Sequence, residues 1–231
     1  FIEKIENLDY VEAIKFLAQK ANMSLPESDG KEEQLSKLRR RLFAVNRESA
    51  LFFHNQLYKK DGEKALNYLS KRGLSPQVIK HFGLGYSPEN KHILIDYLKE
   101  KGFKDFELTQ ANLAFSSNYS KPYSRFFNRV MFPIIDLRGN VIAFGGRALS
   151  DVKPKYLNTS DTPVFKKSSN LFALNVAKNF CQNNIILVEG YMDVIALHKA
   201  GFQNTVATLG TALTSEQAQI ISRYTKEVII C

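Results

Sequence analysis

Apolar residues at Ile5, Leu8, Val11, Ile14, Leu17 and Ala18 recur at helical spacing between Ile2 and Met23, with Glu and Lys between them, and predict an amphipathic helix. Pro26, Ser28, Asp29 and Gly30 then break the pattern. From Lys31 to Lys60 the positions Leu35, Leu38, Leu42, Val45, Leu51, Phe52 and Leu57 stand on a charged background and predict a long linker or docking helix. Between Gly62 and Gly102, helical stretches at Ala65 to Lys71, Ser75 to Phe82 and Ile93 to Lys101 alternate with breakers. Pro76 falls at an early helical position, where its missing N–H costs nothing. This part reads as a small helical subdomain with little chemistry of its own.

The texture changes at Tyr123. Val130 to Asp136 and Val141 to Phe144 are strand-like runs joined across Arg138-Gly139-Asn140, a β-hairpin. Pro133 cannot donate to a ladder, which places this hairpin at a sheet edge. A polar loop from Ser150 to Ser169 follows. Then come helix (Leu171 to Phe180), strand (Ile185 to Val188), helix (Met192 to Lys199), strand (Thr205 to Leu209), helix (Ser215 to Tyr224) and strand (Glu227 to Cys231). Such alternation means a parallel sheet flanked by helices. Gly201 sits where a C′ glycine belongs, and Thr214 with Gln217 makes a capping box. The expected fold class is therefore α/β, an N-terminal helical and mixed α+β part followed by a parallel sheet. The expected divisions are 1–60 (helical linker), 61–180 (basic mixed subdomain) and 181–231 (parallel sheet).

Composition narrows the function classes. No run approaches the roughly 20 apolar residues a membrane span needs, and Phe1-Ile2-Glu3-Lys4 lacks a signal-peptide layout, so the chain reads as cytoplasmic, with no membrane partner. Cys181 and Cys231 are too few and too isolated for a disulfide framework or a zinc site, and both read as buried residues near strands. The four histidines share no metal-ligand spacing. The net charge of +9 suits a polyanionic partner, and its placement says more. Ten basic residues against three acidic ones lie between Lys121 and Lys178, so that segment holds most of the excess.

Glu189 stands at the carboxyl end of the strand Ile185 to Val188, followed by Gly190 and a helix carrying Asp193. Active sites in open α/β sheets collect at that edge. A carboxylate pair there suits a hard divalent cation that keeps several waters and bridges phosphates. Spacing alone favours the plainer reading, with Glu189 a first-turn acid answering the helix dipole and Asp193 a solvated helix residue.

Longer motifs decide between these. Val188-Glu189-Gly190-Tyr191-Met192-Asp193-Val194, with Ala207-Thr208-Leu209-Gly210-Thr211-Ala212-Leu213-Thr214, resembles the Toprim segment of bacterial DnaG-type primases. Arg129 to Ile134, Ala143 to Arg147, Pro154 to Asn158 and Phe165 to Lys167 resemble the same family's core, and the likeness is weakest before Leu66. It implies a Toprim-like sheet, and RNA primer synthesis on a single-stranded DNA template at replication forks. Ribonucleoside triphosphates are joined by attack of a 3′ hydroxyl on an α-phosphate, giving an RNA–DNA hybrid.

By the same resemblance Glu189 is the first carboxylate for Mg²⁺ or Mn²⁺, with Asp193 supporting it or binding metal. Arg125, Arg129, Arg147, Lys155 and Lys167 match groove residues that neutralise phosphates, and Tyr156 and Asn158 lie in the same motif. Phe127 stands where the family usually has a further basic residue. Two glycines ahead of Arg147 suggest that the backbone approaches a ligand closely there. An Asp-x-Asp pair completing the metal site is expected just past Cys231, so these 231 residues alone are expected to be inactive or impaired. Zinc and the replicative helicase belong to further domains that the resemblance implies outside this stretch. The rival readings are a Toprim nuclease or topoisomerase, and a nucleic-acid binding module with a purely structural sheet.

Overall fold

The computed structural model describes residues 2, 10–23, 30–117, 120–210 and 212–231. Ile5 and Leu8 of the first helical pattern, the breakers Pro26, Ser28 and Asp29, and Thr211 lie outside the described residues. By internal contacts the chain divides into residues 1–38 and residues 39–231. In the first, α1 (Tyr10–Lys20) carries buried Ala13 and Ala18. Helix α2 (Gly30–Leu57) starts at the expected breaker Gly30 and stops short of Lys60. Its buried residues Leu42, Val45, Asn46, Ser49, Phe52, Phe53 and Gln56 follow 3.6-residue periodicity, and Leu51 falls off that stripe into solvent.

Residues 39–231 build a four-stranded antiparallel sheet and a three-stranded parallel sheet on a shared core, with a separate two-stranded hairpin. Helices α3 (Glu63–Lys71) and α4 (Pro76–His81) lead to β1 (Gly85–Ser87), and α5 (Ile93–Glu100) and α6 (Asp105–Gln110) lead to the hairpin β2 (Ala114–Ser117) and β3 (Ser120–Ser124). The expected β-hairpin is β4 (Arg129–Ile135) with β5 (Val141–Ala148), and β6 (Tyr156–Asn158) adds a strand inside what reads as a polar loop. These form a four-stranded antiparallel sheet in the order β1-β4-β5-β6.

That order corrects the edge placement of the Pro133 strand, because β4 is central. Phe144, opposite Pro133, turns its N–H and C=O toward Thr159 (3.0 and 2.9 Å) rather than toward β4. The Pro133 nitrogen must therefore point to the β1 side, where the ladder has already ended at Met131.

The remainder is the parallel sheet β8-β7-β9, with β7 (Ile185–Val188) central between β8 (Thr205–Ala207) and β9 (Val228–Ile230). The unbroken apolar run of β7 follows from burial on both faces. Ile186 and Val188 join the core shared with β1, β4 and β5, whereas Ile185 and Leu187 pack with Leu171, Leu174 and Ile221. Helix α8 (Tyr191–Lys199) follows β7, and Gly201, at φ +97°, succeeds its C-cap. Helix α9 (Ser215–Ile221) has the expected Thr214/Gln217 capping box.

Two expectations fail nearby. The helix expected from Leu171 to Phe180 is one turn, α7 (Leu174–Ala177), because Phe172 pairs its backbone with Ala207 and Ala173 takes a left-handed φ of +64°. Cys181 is buried, but Cys231 follows the exposed strand β9 and is itself exposed. Among the described residues no helix is long and apolar enough to cross a membrane.

Candidate active site

Strand β7 delivers Glu189 to the carboxyl edge of the parallel sheet, and the first turn of α8 delivers Asp193. Both carboxylates are exposed. The Asp193 carboxylate folds back over Gly190, where a side-chain carbon would stand 2.8 Å from Oδ2. A side chain at position 190 would only push this exposed carboxylate aside. Two exposed oxygen donors of this kind suit a hydrated divalent cation. Among the described residues no three His, Cys, Asp or Glu side chains converge, so the set is partial.

The antiparallel sheet is fastened to this edge through one amide. Tyr191, the first residue of α8, donates its hydroxyl to Asn158 Oδ1 (2.8 Å), and Asn158 Nδ2 donates to the Leu209 carbonyl just after β8 (2.9 Å). Asn158 therefore ties β6 to the loops leaving both β7 and β8. The Tyr191 ring is buried, stacked on Phe132 (5.0 Å, 11°) and edge-on to Phe172 (4.8 Å, 88°). Burial pushes its phenol well above the ordinary range, so it stays a neutral hydrogen-bond donor.

This joint explains the glycine pair before Arg147. A side-chain carbon at Gly145 would stand 2.5 Å from the Tyr191 ring, and one at Gly146 would stand 2.9 Å from Phe126 and 3.0 Å from the Arg129 side chain. The space is filled by the protein's own residues, which corrects the idea that it admits a ligand.

Arg147 lies directly opposite Tyr156 across the β5–β6 ladder, half-buried, with its guanidinium 4.1 Å from the centre of the Tyr68 ring. Arg72, at the end of α3, lies 5.6 Å from the same ring. Burial raises the Tyr156 phenol and the Tyr68 hydroxyl adds to it, against the opposing pull of Arg147 and Arg72. The Tyr68 hydroxyl is buried with no hydrogen-bond partner in the protein. Lys199 of α8 donates to the Gly73 carbonyl and holds this corner to the parallel sheet. Sequence reasoning missed Tyr68 and Arg72, whose helix seemed to carry no chemistry. An Arg just ahead of a left-handed glycine (Gly73, φ +72°) was the available signal.

The other candidates fall in distinct places. Lys155 is exposed at the start of β6. Lys167 is half-buried, its carbonyl accepting from Gln217 Nε2 (3.0 Å) beside the start of α9. Arg129 is 3% exposed and donates to the carbonyls of Gly146, Pro154 and Lys155 at 3.1 to 3.2 Å. Burial lowers its guanidinium pKa. Arg129 thus clamps the β5–β6 turn from inside. Arg125 is half-buried and reaches Ser160 Oγ (3.4 Å), burial likewise lowering its pKa. Three of the four histidines bond backbone carbonyls: His54 to Leu84, His92 to Pro122 and His198 to Thr205.

Comparison with known proteins decides the family. The family described as "DNA primase catalytic core, N-terminal domain" matches residues 52–178, more than half of the chain. The chain belongs to the DNA primase catalytic core family. The Toprim domain family matches residues 183–231. The DNA primase of Clostridium acetobutylicum is 43% identical over the whole of this chain, which spans 38% of that relative's length. A DnaG primase catalytic domain bound to ssDNA superposes with a TM-score of 0.77 at 37% identity, over 85% of this chain and 64% of the other. The RNA polymerase domain of Mycobacterium tuberculosis primase DnaG gives 0.79 at 34% identity, over 83% and 66%.

Proposed function

We propose that the protein containing this chain synthesises RNA primers on single-stranded DNA by metal-dependent nucleotidyl transfer from ribonucleoside triphosphates. The observation that carries this reading is the Asn158 joint. It stands Arg147 and Tyr156 next to the sheet edge that bears Glu189 and Asp193. Phosphoryl transfer needs little covalent chemistry from the protein, and depends on positioning and on neutralising developing charge. Glu189 and Asp193 would hold Mg²⁺ or Mn²⁺, which would supply neutralisation of the charge that develops on the reacting phosphate. Arg147, Arg72, Lys155 and Lys167 would neutralise template and triphosphate, while Tyr156 offers a ring to a base. Family membership supports the reading, as does the similar catalytic domain that binds ssDNA.

Among the described residues no third carboxylate joins Glu189 and Asp193, so the 231-residue chain alone is expected to make less primer than the full-length protein. The test is ribonucleotide incorporation on single-stranded DNA with Mg²⁺ or Mn²⁺. It compares this chain, the full-length protein and the full-length protein carrying Glu189→Gln. Incorporation by the unmutated full-length protein and a loss of at least about 100-fold in Glu189→Gln is expected. Undiminished incorporation in Glu189→Gln removes that carboxylate from the mechanism. Degradation of DNA without incorporation favours a Toprim nuclease.

A further inference from the structure

One corner of the fold holds a hydroxyl with nothing to donate to. Tyr68 stands in the last turn of α3 and is half-buried, yet its hydroxyl oxygen is sealed from solvent without a hydrogen-bond partner in the protein. Such a group has given up its bonds to water and gained none, which costs stability. On stability alone, phenylalanine would serve better at this position.

The groups around it say what is missing. The Arg147 guanidinium rests 4.1 Å from the centre of the Tyr68 ring, and that of Arg72 lies 5.6 Å from it. Arginine side chains offer donors only, so neither can accept from the hydroxyl. Arg147 gives one N–H to the Ala148 carbonyl (3.2 Å). Tyr156 pairs with Arg147 across the ladder, and the Tyr68 hydroxyl stands close enough to raise its phenol. The Tyr156 ring in turn lies 6.4 Å, centre to centre, from that of Tyr191, which follows Glu189 and Gly190. The corner thus gathers cations and a spare donor beside the carboxylate edge, and an acceptor carrying negative charge completes it.

We propose that Tyr68 grips the triphosphate of the incoming ribonucleotide: its hydroxyl donates to a phosphate oxygen, and its ring seats the Arg147 guanidinium that neutralises the same group. A triphosphate can react at one end and be held at the other, which a lone phosphate cannot. Tyr156, 41% exposed, turns outward to admit it. A hydrogen bond to a charged oxygen is stronger than one between neutral groups, so the anion offsets what the empty corner leaves unsatisfied. The choice of a nucleotide rests on the primase reading, whereas the phosphate grip is read out by binding alone.

The test titrates inorganic triphosphate into the full-length protein by calorimetry in the presence of EDTA, and compares Tyr68→Phe and Tyr68→Leu with the unmutated protein. Tyr68→Phe is expected to weaken binding about tenfold, the loss of one hydrogen bond to a charged group. Tyr68→Leu, which also removes the seat of Arg147, is expected to weaken it further. Affinity for oligothymidylate should hardly change in Tyr68→Phe, which separates a triphosphate from a template phosphate. In primer synthesis Tyr68→Phe should raise KM for ribonucleotides about tenfold and leave kcat nearly unchanged, the mark of an interaction already made on binding. The unfolding midpoint of Tyr68→Phe should stay level or rise, because the orphan hydroxyl is gone.

Unchanged triphosphate affinity in Tyr68→Phe overturns the proposal, as does a loss confined to oligothymidylate or a fall in kcat at constant KM. A lowered unfolding midpoint in Tyr68→Phe also overturns it, since the hydroxyl would then serve the fold. If Tyr68→Leu does not fold, Tyr68→Phe, which keeps the ring, still decides it. Absent primer synthesis alongside weakened triphosphate binding in Tyr68→Phe would sink the primase reading and leave the grip standing.

Discussion

Gly145→Ala inverts the usual effect of replacing a strand glycine. In an open strand the change stabilises by roughly 0.5–1 kcal/mol, because glycine loses more freedom on folding. Here the added methyl would stand 2.5 Å from two Tyr191 ring atoms and 2.6 Å from its hydroxyl, where contacts of about 3.5 Å or more are needed. The ring must yield by about 1 Å, and it is held by Phe132 on one face and Phe172 at its edge. Moving it also stretches the 2.8 Å bond to Asn158. Overpacking costs about 1–3 kcal/mol and the hydrogen bond about 1, so a loss of about 2–4 kcal/mol is expected. For a domain of this size that lowers Tm by on the order of 10 °C.

The assay is urea and thermal unfolding followed by circular dichroism, closed as a cycle with Tyr191→Ala. In the Tyr191→Ala background the cost of Gly145→Ala should fall below about 1 kcal/mol, because the opposing ring is gone. An unchanged or raised Tm for Gly145→Ala alone would refute the close-packed joint. A cost that persists without the Tyr191 ring would assign the strain to the backbone instead.

Further predictions separate structural from functional cations and locate an acid-sensitive group. Arg129→Met keeps the apolar stem but strips a charged donor from three carbonyls, and should cost about 3 kcal/mol in urea unfolding with little change in the salt dependence of DNA binding. Arg147→Ala should do the reverse, lowering primer synthesis about 100-fold or more while the unfolding midpoint stays nearly fixed. His198, whose Nε2–H donates to Thr205, has its pKa lowered chiefly by burial and secondarily by His81. The unfolded chain then binds the proton that the folded one refuses. Its contribution is complete above the unfolded value of about 6.5 and is lost as pH falls through the depressed folded value. Stability between neutral and mildly acidic pH should therefore decline less steeply in His198→Gln, and an unaltered slope would rule this residue out.

What the sequence made legible was local. The run Ile185 to Val188 into Glu189-Gly190, the Thr214/Gln217 box and the turn Arg138-Gly139-Asn140 each carry their signal within a few residues, and each is found in place. Strands β1 and β6 were invisible because each is three residues long and exists only through pairing with β4 or β5. The helix expected from Leu171 to Phe180 shrank to the single turn α7 because Phe172 pairs its backbone with Ala207, which no local pattern announces. Tyr68 and Arg72 sit on an ordinary amphipathic helix and gain meaning only from Arg147 across the fold.

Arg129 and Arg147 show most clearly what register adds. They are of one residue type, flank one hairpin and were read alike from sequence. Partners across an antiparallel ladder share a face, and residues alternate faces along each strand. Arg147 pairs with Val130, and Gly145 with Phe132, which places Arg147 on the face that meets Tyr191 and the parallel sheet. Arg129 pairs with Ala148, on the opposite face, where Gly146 leaves it room to reach the β5–β6 turn. Counting back from the turn would not have yielded this, since the ladder shifts by a bulge between Ile134 and Ile135. One irregular residue near the turn therefore decides which arginine is a clamp and which faces the carboxylate edge.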